Sequence, residues 1–162
     1  MAMNLSNLFK GNAFSFKIAR CPTVSSLSTA VILPSISMGS TEVPFPPLIT
    51  KEPGSKLTYS EMLVTFNLDE NWNAYMECYD WLQDMRDPTS SVWADIKQDA
   101  SIIVYNNSNK AILDISFTGC FPTNLDDIPF SAAESDNVSM SVTFEYDYFK
   151  VNRLLESDRD GE

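Results

Sequence analysis

Apolar and polar residues alternate along several short stretches of the chain, a pattern typical of half-buried β-strands. The alternation is strictest at residues 138–148 and is clear at 57–68, where Met62, Val64 and Phe66 share one face. The same pattern predicts further strands at residues 13–19, 31–38, 101–105 and 110–121. The last two flank Asn106-Asn107-Ser108-Asn109, a strong hairpin-turn signal. We therefore predict six or seven strands.

One segment follows a helical period instead. Its apolar residues recur at spacings of three and four: Trp72, Tyr75, Met76, Tyr79, Leu82 and Met85. Asp69 is a good N-cap and Pro88 ends the pattern, which predicts a helix of about 16 residues. Residues 88–100 predict a loop held by Trp93. The fold class expected is mainly β, a sandwich or barrel with one helix packed on one side.

An unusual segment at residues 35–56 joins the second predicted strand to the third. The region holds five prolines, at positions 34, 44, 46, 47 and 53, so it is not an ordinary central strand. It also carries the apolar residues Met38, Val43, Phe45, Leu48 and Ile49. Two interpretations stay open: an arm that contacts another subunit, or a long surface loop folded back over its own core.

The length of the chain fits a single domain. At 162 residues it is long enough for one hydrophobic core. We assign residues 1–155 to this domain and expect the acidic residues 156–162 to fray. The beginning of the chain has no continuous apolar run and no stretch approaches the roughly 20 apolar residues of a membrane span, so we expect a soluble protein made in the cytoplasm.

Charge argues against nucleic-acid binding, and residue types argue against catalysis. The formal net charge is −11, whereas binding to nucleic-acid phosphates rests on Lys and Arg. The chain has no histidine to activate a nucleophile or bind zinc, and Cys21, Cys78 and Cys120 are expected to be reduced and buried. Glu145 and Asp147 share a predicted strand face and are interpreted as solvated acids rather than a glycosidase pair. We expect no enzyme activity, no cofactor and no metal.

Three runs of sequence resemble the core of the tail-tube proteins of contractile bacteriophages. They are LPSISMGSTEVPFPPLITKEPGSKLTYSEMLVTFNLDENWNAYMECYDWL, FTGCFPTNL and VSMSVTFEYDYFKV. The elements that carry the resemblance are Leu33-Pro34, Pro53-Gly54, Phe66 to Glu70, Tyr79 to Leu82, Gly119, Phe121 to Asn124 and the aromatic last strand. It covers residues 12–150, about five-sixths of the chain.

The resemblance implies a structural subunit of a virion tail, assembled in the host cytoplasm, that forms stacked hexameric rings. In that family the inner strands close a β-barrel lumen and the arm contacts a neighbouring ring or subunit. Its partners would be further copies of the chain and the tube, sheath, neck or baseplate proteins. Double-stranded DNA would pass through without specific binding, because an acidic lumen repels phosphates. We take Glu61, Asp114, Glu145 and Asp147, on predicted polar strand faces, as lumen candidates.

The position of such a subunit along the tail stays open. Pro44-Phe45-Pro46-Pro47 is proline-rich for a long continuous strand, so both the repeating tube protein and a terminator ring with a shortened arm fit. Alternatives are a tube protein of a bacterial secretion system and a carbohydrate-binding β-sandwich. The latter would expose aromatic residues, whereas Trp72, Tyr75 and Tyr79 follow helix spacing, which is more often core packing.

Overall fold

The computed structural model describes residues 9–87, 96–133 and 135–154. This part of the chain contains nine strands and two helices. The strands are β1 (Phe14–Ile18), β2 (Ser28–Ile32), β3 (Ile36–Phe45), β4 (Leu48–Tyr59), β5 (Met62–Asn67), β6 (Gln98–Tyr105), β7 (Ala111–Leu125), β8 (Ser139–Glu145) and β9 (Tyr148–Arg153), and the helices are α1 (Pro22–Leu27) and α2 (Asn73–Arg86). The predicted mainly-β fold with a packed helix is confirmed, although six to seven strands and one helix were too few.

Seven strands form one antiparallel sheet that folds over itself along β7. The order is β1-β6-β7-β8-β5-β2, with β9 also paired to β7. Residues Leu113–Thr118 of β7 pair with β9 and Phe121–Leu125 pair with β8, so β7 belongs to both layers of a sandwich. Between these halves lies Gly119 at φ +70°, a backbone conformation that suits glycine because it has no Cβ.

The core lies between these layers and is built from the alternating strand residues. The predicted inward faces are confirmed for β5 (Met62, Val64 and Phe66), β7 (Ile115 and Phe117) and β8 (Met140, Val142 and Phe144), all of which are buried. Phe16, Ile18, Ile102 and Phe149 complete it from β1, β6 and β9.

Helix α2 turns a different face to the core from the one predicted. The buried side chains are Ala74, Cys78 and Trp81, whereas Met76 and Tyr79 are exposed. The prediction was wrong because this helix carries apolar residues on two faces, and packing against the sheet selects the face that holds Trp81. The Trp81 indole N–H donates to the Ile96 carbonyl at 2.8 Å.

The helix also begins later than predicted. Asp69 is followed by a turn in which the Trp72 N–H donates to the Asp69 carbonyl at 3.0 Å, and Trp72 has a left-handed backbone (φ 60°). The Asp69 carboxylate accepts from the N–H groups of Asn73 and Ala74, so it caps the helix from one turn upstream. Residues 88–95, with Trp93, lie outside the described residues, as does the predicted tail at 156–162.

Helix α1 was not predicted, because it is short and rich in Ser and Thr, residues of low helix propensity. Contact with α2 supports it: the Thr23 N–H and hydroxyl both donate to the Glu77 carboxylate. Strand boundaries also differ. β7 continues through the buried Pro122 to Leu125 where a loop was predicted. The strand predicted at residues 138–148 ends at Glu145, and most of β9 lies beyond it and was not predicted.

Candidate assembly interface

The proline-rich segment is a long two-stranded hairpin, β3–β4, which we call the arm. Its register runs from Ile36 opposite Tyr59 to Phe45 opposite Leu48, with Pro46-Pro47 at the turn. The arm is therefore not shortened by its prolines, in contrast to the shortened arm considered for a terminator ring. Pro44 and Pro53 lie in the two strands, which a ribbon with only two strands tolerates because each strand has a free outer edge.

The base of the arm is tied to the sandwich. The Ser60 N–H donates to the Ser35 carbonyl at 3.1 Å, and the Ser35 N–H donates to the Ser60 hydroxyl at 2.8 Å. The Tyr146 hydroxyl donates to the Ser60 carbonyl at 2.7 Å. These bonds lie where β2 and β5 of the sandwich continue into β3 and β4, so the body fixes the direction in which the arm leaves it.

All five predicted arm residues are exposed, and the interpretation of a loop folded over its own core is wrong. Phe45, Leu48 and Ile49, which we call the arm tip, are 72%, 73% and 68% exposed. Met38 and Val43 are also exposed along the strand. Ten residues of β3 at about 3.3 Å each place the tip about 30 Å from the base of the arm. The chain thus holds an apolar surface away from its own core.

A second apolar surface lies near the base of the arm. It is a cleft of about 530 Å³ between the β2 edge and the inner face of β6 and β7. We call it the base cleft; its lining includes Val31 and Leu33 on one side and Val104, Leu113 and Ile115 on the other. Leu33 is about half exposed, so this cleft is open to solvent. Sequence alternation gave no sign of it, because it forms only where the two layers diverge.

The four lumen candidates do not lie on one face. Glu61 and Glu145 together line a shallow groove beside Tyr59. Asp114 lies in β7 between Ile103 of β6 and Asn152 of β9, and its Oδ1 is buried without a hydrogen-bond partner in the described part of the chain.

Asp147 lies in the turn before β9, where its carboxylate accepts from the Lys97 ammonium at 2.8 Å. Glu61 likewise lies in the turn between β4 and β5 rather than on a strand face as predicted. Alternation assigned both to strands because it does not register the breaks at residues 60–61 and 146–147. That the four acidic residues face a lumen stays a prediction.

The outer face of β5 and β8 is a feature that the search for acids missed. Thr65 lies opposite Ser141 and Leu63 opposite Thr143, so this face carries hydroxyl side chains, of which Thr143 is buried, together with one leucine. Thr65 and Ser141 hydroxyls are hydrogen-bonded at 2.9 Å. This uncharged face ends at Glu145. The regular Ser and Thr positions of residues 139–143 were the signal in the sequence.

The three cysteines are buried, as predicted. A hydrogen bond with Cys78 and burial raise the pKa of the Cys21 thiol far above its ordinary value. Burial raises the pKa of the Cys120 thiol to about 12. Because the thiolate is the reactive form, neither Cys21 nor Cys120 is poised for nucleophilic chemistry. In the described ranges no three His, Cys, Asp or Glu side chains are grouped to hold a metal ion.

The aromatic residues of α2 depart from their expected place. Trp72 and Tyr75 are half-buried and Tyr79 is exposed. Tyr75 packs against the core, whereas core packing does not account for Tyr79. Exposed aromatic residues were the sign expected of a carbohydrate-binding module, and their surroundings are considered below. No described helix is long and apolar enough to span a membrane.

Solved structures share this fold. A chain of the sheath-tube complex of an extracellular contractile injection system (PVC) matches with a TM-score of 0.71 at 14% identity, covering 95% of this chain and 100% of that one. A chain of the tube-terminating cap of the anti-feeding prophage matches with a TM-score of 0.70 at 16% identity, over 94% and 96%.

A type six secretion system protein matches less well, with a TM-score of 0.53 at 11% identity over 89% of this chain and 83% of that one. No family model matches the sequence, and no curated protein matches it. The similarity establishes the fold, and the predicted tail-tube-like architecture is confirmed.

Proposed function

We propose that this chain, which has the fold of subunits of contractile injection particles, is a structural subunit of a contractile phage tail. It would form hexameric rings of the tail tube or of its head-proximal terminator, without enzymatic activity. The observation that carries the proposal is the arm, a hairpin about 30 Å long that exposes an apolar tip. Exposed apolar surface favours association, so the arm indicates a contact with another subunit.

The energetics of the arm favour contacts between assembled rings over a contact between two single chains. Full burial of a large apolar side chain stabilises by about 1.5 to 3 kcal/mol. Because the three tip residues are 72%, 73% and 68% exposed, burying what they expose contributes about 3 to 6 kcal/mol in total. Association of two free molecules costs about 4 to 15 kcal/mol. One arm therefore does not hold two chains together. Several arms that engage at once do, because every contact after the first is intramolecular.

The arrangement of the arm favours head-to-tail stacking. The arm tip and the base cleft are different apolar surfaces at opposite ends of one hairpin. A contact between unlike surfaces repeats without ending unless rotation closes it into a ring. We propose that the tip of one copy enters the base cleft of a copy in the next ring.

Free strand edges support closure within a ring. In the described sheet, β1, β2 and β9 each pair on one side only. Exposed edges are prone to pairing with other chains, and a closed ring of subunits removes them. The hydroxyl-rich face of β5 and β8 would then be available to line a channel, with Glu61 and Glu145 at its end.

The charge of the chain fits passage of DNA through such a channel. With a net charge of −11, the chain offers few cations to grip phosphates. Double-stranded DNA would pass without specific binding, and Asp114 and Asp147 remain further lumen candidates. Sheath, neck or baseplate proteins would be the other partners in the virion.

A contact between tip and cleft can be tested by separating its two halves. Leu48→Ser removes apolar surface from the tip, and Leu33→Ser removes it from the cleft; both leucines are exposed, so neither change opens a hole in the core. Leu57→Ser, an exposed leucine near the arm base, is the matched control. Sedimentation velocity then measures how far the rings stack.

We expect Leu57→Ser to stack like the unmodified chain and each of the other variants to stop at single rings. An equimolar mixture of Leu48→Ser and Leu33→Ser rings should form double rings, because one supplies an intact cleft and the other an intact tip. Unimpaired stacking of Leu48→Ser would refute the role of the arm. Failure of the mixture would refute the cleft as the acceptor.

A particle that delivers protein cargo is the second candidate, since the structures named above come from injection and secretion systems. The contents of purified particles distinguish the two. Protection of double-stranded DNA from nuclease supports the phage tail, and enclosed protein without DNA supports an injection or secretion system.

A further inference from the structure

Four aromatic rings form a continuous series on the solvent side of α2. Phe130 stacks on Trp72 with ring centres 5.8 Å apart and planes 5° from parallel. Trp72 meets Tyr75 edge-on at 5.4 Å, and Tyr75 stacks on Tyr79 at 6.1 Å. We call this series the aromatic ladder. It joins the start of α2 to the loop between β7 and β8, which are far apart in the chain.

Most of the ladder lies outside the hydrophobic core, and Tyr75 packs against the core from a half-buried position. Phe130 is 81% exposed and Tyr79 is 40% exposed, while Met76 beside them is 45% exposed. Core residues of α2 lie on the opposite side of the helix, at Cys78 and Trp81. The exposed rings of the ladder thus form an apolar contact surface, and Tyr and Trp are common contact residues in interfaces.

The charge of the segments that carry the ladder is mainly negative. Residues 69–87 contain six acidic side chains and a single basic one, Arg86, and residues 121–133 contain two acidic side chains and no basic one. Three of the acids serve internal contacts: Asp69 caps α2, Glu77 binds Thr23 and Asp84 binds Arg20. Glu70, Asp80, Asp126 and Asp127 remain exposed next to ladder residues in the chain.

We propose that the aromatic ladder binds a segment of a partner protein that carries arginine and lysine side chains. A guanidinium gains from the face of an aromatic ring and from nearby carboxylates at once. A neutral sugar would gain from the rings alone, so the acidic surroundings favour a cationic peptide over a glycan. The surface lies on the helical side of the sandwich, and the inference does not rest on ring formation.

The test uses the full chain and a synthetic probe. A fluorescent peptide of alternating Arg and Ser is titrated, and fluorescence anisotropy measures its affinity. Phe130→Ala and Tyr79→Ala each remove one ring of the ladder. Tyr148→Ala is the matched control, because Tyr148 is also 40% exposed but lies in β9. A peptide with citrulline in place of Arg keeps the side-chain shape without its charge.

We expect Phe130→Ala and Tyr79→Ala to weaken binding of the Arg peptide by about two- to fivefold each, the size of an exposed cation–ring contact. Asp80→Asn and Asp127→Asn should weaken it as well, and rising salt should weaken it progressively. Tyr148→Ala should bind like the unmodified chain, and the citrulline peptide should bind far more weakly.

Equal affinities of the Tyr79→Ala and Tyr148→Ala chains would show that the peptide senses only the net charge, and would overturn the proposal. Binding of neutral oligosaccharides that Phe130→Ala abolishes, without binding of the Arg peptide, would overturn it in favour of a glycan site. Circular dichroism spectra of all variants check that the fold is retained.

Discussion

The packing of Trp81 gives the sharpest test of how α2 is seated. Its side chain is fully buried. The centre of its ring lies 6.1 Å from that of Phe144, and the Arg20 guanidinium lies over the Trp81 ring, 5.2 Å from the ring centre. Trp81→Ala creates a large cavity and removes about 3 to 5 kcal/mol, a large part of the about 5 to 15 kcal/mol that stabilises a typical domain. Trp81→Phe is the milder change. It fills most of the space but leaves the Ile96 carbonyl without its 2.8 Å donor, which costs about 1 to 3 kcal/mol.

Urea unfolding followed by far-ultraviolet circular dichroism measures these losses, provided that the slope with denaturant is unchanged. Met76→Ala is the control, because the helical period predicted Met76 to be buried and the structure exposes it. We expect it to change the free energy of unfolding by less than about 0.5 kcal/mol, as surface substitutions do. A loss for Met76→Ala as large as that for Trp81→Phe would refute the orientation of α2 described above.

Three further predictions concern single groups. Gly119→Ala should lower the free energy of unfolding by about 1 to 3 kcal/mol in urea titrations, because φ is +70° and the new methyl group would meet the Asp147 carboxylate. Although desolvation raises the pKa of Asp69, hydrogen bonds from backbone N–H groups, foremost that of Ala74, lower it overall. Its stabilisation is therefore full above the ordinary pKa of 3.8 and is lost as pH falls through the lower folded-state value. Asp69→Asn should flatten that part of the stability–pH curve. Iodoacetamide at pH 8 should leave Cys120 unmodified in the folded chain and alkylate it in urea, because burial raises its pKa to about 12; rapid labelling without urea would contradict this burial.

Strands were predictable because burial on one side imposes a period of two. Met62, Val64 and Phe66 in β5 leave no doubt about which side faces inward, since a slip of one residue would turn all three to solvent. The same reasoning could not find the ends of strands. Pro122 is a strand breaker by type, yet it is buried within β7 because the neighbouring residues pair with β8.

The helix showed the limit of periodicity. Apolar residues lie on two sides of α2, and the side with Tyr79 was predicted to be buried because it carries more of them. Only contact with Phe144 and Ile96 decides that the side bearing Trp81 is inside. The exposed set then becomes the aromatic ladder.

The arm was predictable in part. Prolines exclude a central strand, and apolar residues beside them indicate a surface that seeks a partner, so Phe45 and Leu48 were found. The pairing of β3 with β4 was not predictable. Every position of β3 is exposed, so burial imposes no alternation of apolar and polar residues there. The base cleft needs residues from β2, β6 and β7 and has no local signature.

Self-assembly is the central claim, and electron microscopy of the purified chain tests it most directly. Negatively stained samples over a range of concentrations should show rings. Stacking of these rings into long tubes identifies the repeating tube subunit, and rings that remain single identify a terminator. Either outcome agrees with the account. A chain that stays monomeric at every concentration, even with preformed tube seeds added, would contradict it.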